Sequence, residues 1–106
     1  MIRITLTKKD DRIRKVEIKG HAGYAKYGKD IVCSAISSIA CTALLGLIEF
    51  SDREVEYVKE EGYLFFSVPD ADSPEEALRQ DTILKTMELG LKDVQEGYKA
   101  FVKMEE

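Results

Sequence analysis

The sequence predicts an α+β fold, a mainly antiparallel sheet with two helices in the order β-β-α-β-β-α, and three observations carry that prediction. Apolar residues alternate with polar ones at Ile2, Ile4 and Leu6 and again at Val16 and Ile18. A long apolar run over 31–50 follows, with no strand-like alternation. A second alternating pair of segments then precedes Ser73-Pro74-Glu75-Glu76, the signature of a helix start. The chain has 106 residues, 44% of them hydrophobic, which suits one domain over 1–106 and is too short for two of ordinary size.

The first two strands form a hairpin turning at Lys9, Asp10 and Asp11, and Gly20 ends the second strand. The loop over 21–29 carries Gly23, Gly28, Tyr24 and Tyr27, a permissive backbone with adhesive side chains. Asp30 is suited to cap the helix over 31–50, because its carboxylate can accept the orphan N–H groups of Val32 or Cys33. Val55 and Tyr57, then Leu64, Phe66 and Val68, give a second hairpin turning at Glu60, Glu61 and Gly62, and Pro69 stops it. The second helix shows Leu84, Met87, Leu91 and Val94 at three- and four-residue steps. Continued to Met104 it would span about 48 Å, against a radius of gyration of about 13 Å for such a domain. A break at Gly97 is expected, with 98–104 as a short extended tail.

Composition excludes several function classes. Asp and Glu number 20 against 16 Lys and Arg, a net charge of −4, so no basic excess is available to track a phosphate backbone and no direct nucleic-acid partner is expected. The first residues fit neither a signal-peptide core nor a membrane span. The 31–50 run approaches spanning length but includes Ser34, Ser37, Ser38 and Thr42, and a small domain needs a core helix; no membrane association is expected. Cys33 and Cys41 are about 12 Å apart along one helix and cannot pair there. Free thiols in this setting point to the cytoplasm.

The chemistry centres on His21, the only histidine, twelve residues ahead of Cys33. If Asp30 is the cap, Cys33 lies in the first helical turn, where the macrodipole favours an anion by about 0.3–1 kcal/mol, rising to about 2 in a partly buried site. At 1.36 kcal/mol per unit that lowers a thiol pKa by about one and a half units at most, so an efficient nucleophile also needs a base such as His21. The Asp30 carboxylate opposes a thiolate unless it is turned into its cap bonds or toward His21. Residue types alone also suit a core cysteine and a surface histidine. Ser37, four residues on, shares the helix face of Cys33 and is suited either to orient a group or to bond back to a preceding carbonyl. Cys41 is assigned to the core, and the charges at Glu75, Glu76, Lys85 and Lys92 to a solvated helix face. One histidine and two cysteines without paired spacing do not make a closed zinc site, and Gly20, Gly23 and Gly28 do not match a phosphate loop, so neither metal nor cofactor is expected.

The run Gly20-His21-Ala22, then Gly28, then Asp30-Ile31-Val32-Cys33 and Ser37, resembles the signature of the ribosomal-processing cysteine protease (YsxB-like) family. The β-β-α-β-β-α order agrees along most of the chain. The resemblance implies a homodimeric endopeptidase that removes a short N-terminal extension from large-subunit ribosomal protein L-twenty-seven, cutting after an aromatic residue. Carried onto this sequence, it makes Cys33 the nucleophile and His21 the general base and later acid, with Asp30 and Ser37 in supporting positions. Gly20 and Gly28 would flank and hinge the loop, and Ser34 stands where the family often has alanine. Loop composition makes Tyr24 and Tyr27 candidates for holding an aromatic substrate residue, and first-turn amides near Cys33 are the expected oxyanion donors. Two alternatives remain: a non-catalytic module that binds a basic ribosomal protein through its acidic surface, and a thiol redox switch, for which Cys41 is badly placed to resolve Cys33.

Overall fold

The computed structural model describes residues 1–23, 25–26 and 30–106. Strand β1 (Ile2–Lys9) and strand β2 (Arg12–Lys19) form the first hairpin. Asp10 and Asp11 turn it with φ of 53° and 64°, the pair of left-handed residues that the tight hairpin turn demands and that aspartate tolerates. Helix α1 (Ile31–Phe50) follows, then strand β3 (Glu56–Glu60), strand β4 (Tyr63–Ser67) and helix α2 (Pro74–Gly97). These are the six expected elements in the expected order.

The tail beyond Gly97 is extended, as expected, but it is also a fifth strand. Strand β5 (Val102–Glu105) runs parallel to β1, with Ile2 opposite Val102, and the sheet order is β3-β4-β2-β1-β5. The other three pairings are antiparallel. The amide of Ile2 donates to the carbonyl of Phe101 at 2.9 Å, which ties the two ends of the described chain together.

Alternation assigns one face of the sheet to the core: Ile2, Ile4 and Leu6 from β1, Val16 and Ile18 from β2, Leu64 and Phe66 from β4. Both helices cover that face. Although α1 is long and apolar enough to cross a membrane by length and composition, its Val32, Ile36, Ala40, Leu44 and Leu47 are buried in this core. The helices meet through small residues, Gly46 of α1 against Ile83 and Gly90 of α2 against Ile39.

Helix α2 corrects one expectation. Its charged residues are not simply a solvated face, because Glu76 and Glu88 are buried with Gln80 between them. Ser73 caps the helix by accepting from Glu76 N at 3.1 Å, while the Glu76 carboxylate accepts from the amides of Asp52 and Asp72, both at 2.7 Å. Those bonds hold Glu76 below the usual carboxylate range. Glu88 is held at about 2 by Lys8, Lys85 and Lys92, whose ammonium groups lie 2.8, 3.3 and 3.5 Å away and outweigh the cost of its burial.

Candidate active site

The site is built where the β3–β4 turn, the end of β2 and the start of α1 converge. Gly20 leaves β2 with φ +96°, and a Cβ there would lie 2.5 Å from the backbone oxygen of Met1, so only glycine fits. Its amide donates to the carbonyl of Gly62 at 2.9 Å, which fixes the chain beside the second hairpin turn. His21 follows at once. Gly62 has φ +72°, and a Cβ on it would lie 3.0 Å from His21 Nε2, so the imidazole rests against bare backbone. The sequence marks Gly62 only as a turn; its second role, leaving room for His21, depends on residues 41 positions apart and has no local signal.

Asp30 is the N-cap, with extended φ and ψ of −83° and 100°. Its Oδ1 accepts from the amides of Val32 and Cys33, both at 3.0 Å, so the carboxylate makes the expected cap bonds. The first helical turn then presents Cys33 toward the departing strand. Cys33 Sγ accepts a hydrogen bond from the amide of Ala22 at 3.1 Å, which brings the sulfur to the residue immediately after His21.

The main influences on the thiol oppose one another. Burial pushes its pKa up, the Ala22 amide opposes that by favouring the thiolate, and the buried Asp30 carboxylate pushes it up further. The net direction is upward, toward the protonated thiol. Helix position alone does not make it an anion.

Three amides at the helix start are already engaged: Val32 and Cys33 N–H by the Asp30 side chain, and Ser34 N–H by the Asp30 carbonyl at 3.1 Å. The amide aimed at the sulfur is that of Ala22.

A cleft of about 410 Å³ brings the expected residues together, since Gly20, His21, Asp30, Cys33 and Ser37 all line it. Cys41 lines it as well. It is only partly buried, at the edge of the core and not within it, because two turns of α1 carry it along the same side as Cys33 and Ser37. The candidate hinge Gly28 and the substrate candidates Tyr24 and Tyr27 lie outside the described residues. Among the described residues one acidic group, Asp52, Asp72 and Glu76, gathers its oxygens within 4.8 Å beyond the C-terminal end of α1. Both Glu76 oxygens there are engaged by backbone amides, and the group has no share in the cleft.

Residues 1–103 match the family described as cysteine protease Prp. The chain is 29% identical over 109 residues to a ribosomal processing cysteine protease Prp from Staphylococcus aureus, covering 98% of this chain and 97% of that protein. A protein of the same description from Bacillus subtilis is 26% identical over 102 residues, covering 93% and 91%. Among solved structures, an essential ribosomal processing protease Prp from Staphylococcus aureus in complex with a covalently linked product peptide superposes with a TM-score of 0.87 at 23% identity, over 99% of this chain and 98% of that one. The same protease with a substrate peptide gives 0.81 at 23% identity over the whole of both chains. These structures share the fold. The chain belongs to the cysteine protease Prp family and is a cysteine protease.

Proposed function

We propose that this member of the cysteine protease Prp family uses Cys33 as nucleophile and His21 as general base and then acid. Its substrate is the N-terminally extended form of large-subunit ribosomal protein L-twenty-seven, cut after an aromatic residue during ribosome assembly. The observation that carries the reading is the 3.1 Å bond from Ala22 N to Cys33 Sγ, which seats the sulfur beside His21 in an open cleft. The names of the relatives support a ribosomal substrate.

The mechanism follows from a resting thiol. As the sulfur attacks the scissile carbonyl, His21 removes the thiol proton, an S–C bond forms and the carbonyl oxygen becomes an oxyanion. Ala22 N–H, released from the sulfur, is the donor placed to receive that charge. Collapse breaks the C–N bond, and the protonated His21 gives its proton to the leaving amine. Water then attacks the thioester with His21 again taking a proton, the S–C bond breaks, and the thiol is restored. Asp30 acts indirectly by fixing the helix start, and Ser37 lies one turn further along the same cleft. No metal or cofactor enters these steps.

Two free cysteines agree with a cytoplasmic location. A homodimer would cover the exposed Leu45, Ile48, Leu78 and Leu89 on the outer sides of the helices, and sedimentation of the purified chain tests it. The decisive experiment mixes the chain with the extended ribosomal protein and reads products by mass spectrometry, with Cys33→Ala alongside. A single cut after an aromatic residue, absent with the variant, is expected. Equal binding by both forms without cleavage would instead favour the acidic binding module.

A further inference from the structure

We propose that Gly62 is a positioning residue for the reaction: its bare backbone is the stop against which the imidazole of His21 is held, and a side chain there lowers turnover by displacing His21, not by weakening the turn. This rests on the protease reading above and adds to it a residue that acts through the base. Turn geometry by itself does not demand glycine at this position. Gly62 has φ +72°, yet the first hairpin of the same molecule turns on Asp10 and Asp11 at φ 53° and 64°, so a short polar residue can hold a left-handed turn position in this fold. What glycine alone supplies at 62 is space. An added Cβ would lie 3.0 Å from Nε2, 3.4 Å from Cε1 and 3.7 Å from Cδ2 of His21, the outer edge of the ring.

The backbone around that contact is tied on three sides. Gly20 N–H donates to Gly62 C=O at 2.9 Å, which joins the residue before His21 to Gly62 itself. Gly20 is in turn pressed against Met1, where a Cβ would meet the carbonyl oxygen at 2.5 Å. Pairing of Glu60 with Tyr63 closes the second hairpin on the other side of the turn. The part able to give way is the imidazole, the end of an exposed side chain. A methyl group at 62 therefore moves the ring by a few tenths of an ångström. The sulfur does not follow, because it is held separately by the Ala22 amide at 3.1 Å. A misplacement of about 1 Å costs about a hundredfold in rate, so this smaller one should cost about tenfold.

Gly62→Ala and Gly62→Asn separate the two roles of the position. Alanine brings both the Cβ and a poor fit to positive φ, whereas asparagine brings the same Cβ but tolerates the backbone. Both variants should lower kcat for the extended ribosomal protein about tenfold with KM nearly unchanged, while the melting temperature falls for alanine and is largely restored by asparagine. Joined to His21→Ala, either substitution should lower the residual turnover no further, since the group through which it acts is gone. Alkylation of Cys33 by iodoacetamide against pH, resolved from Cys41 by fragment mass spectrometry, makes the same comparison without a protein substrate, and the Gly62 variants should shift toward the His21→Ala profile. Recovery of turnover by asparagine together with stability, or an equal further loss in the His21→Ala chain, would assign Gly62 to the turn alone and overturn the proposal. If His21→Ala removes turnover and the Gly62 variants keep the full rate, the proposal falls and the protease reading stands. If His21→Ala leaves turnover and the alkylation profile unchanged, both fall together.

Discussion

The two helices handle ionisable groups in opposite ways. At the start of α1, Cys33 is partly buried, receives one hydrogen bond from Ala22 and has the Asp30 carboxylate nearby, and its pKa rises. In the middle of α2, Glu88 is more deeply buried, yet three lysines surround it and its pKa falls to about 2. The difference lies in compensation. A charge met by partners on several sides stabilises the fold, whereas a thiol left under-compensated at the mouth of a cleft keeps its proton until a substrate and a base arrive.

The largest test of that contrast is replacement of the groups at the cleft. Cys33→Ala and His21→Ala should each lower turnover of the extended ribosomal protein by about a thousandfold or more while leaving the melting temperature nearly unchanged. Full activity in either variant would dissolve the distinction between the two regions.

Substitution in α2 should do the reverse. Glu88→Gln removes the charge that Lys8, Lys85 and Lys92 share and should cost about 2 kcal/mol in a denaturant titration at neutral pH, with activity per folded molecule preserved. The sign follows from a folded pKa below the ordinary 4.5: the stabilisation is complete above that value and is lost as pH falls from about 4.5 to about 2. The variant's stability should therefore change less than that of the natural chain across the same acid window. Lys8 carries the opposite sign, since its bonds to Glu106 and Glu88 raise it to about 12; its share of stability is complete below 10.5 and is lost as pH climbs through 12.

The smallest effect sharpens the comparison most. Asp30→Asn retains an oxygen able to cap the Val32 and Cys33 amides but removes the charge beside the sulfur. The alkylation profile of Cys33 should move to lower pH with little change in stability. An unmoved profile would leave burial alone as the reason that the thiol stays protonated.

Local signals account for much of the fold. Asp30 and Ser73 cap the two helices where their side chains suggested, the Asp10 and Asp11 turn closes the first hairpin, and the second helix stops at Gly97. Each of these is decided by residues within a few positions of one another. The 98–104 tail was legible as extended but not as a strand, because β5 has only four residues and its partner β1 begins about a hundred residues earlier. Glu76 read as solvent-facing because a carboxylate is ordinarily exposed, and nothing near it announces the Asp52 and Asp72 amides, just as nothing near Glu88 announces the ammonium of Lys8.

The candidate site divides along the same line. Residue types and spacing by themselves determined that one histidine and one first-turn cysteine flank a glycine-bearing loop, and the resemblance carried by those residues named the protease family. Tertiary structure alone decided that Gly62 leaves room for the imidazole, that Ala22 N–H meets the sulfur, and that Cys41 opens into the cleft. The physical reason is range. Caps, turns and periodicity are short-range properties written along the chain, whereas contact across the sheet and the exposure left after packing exist only once distant segments have met.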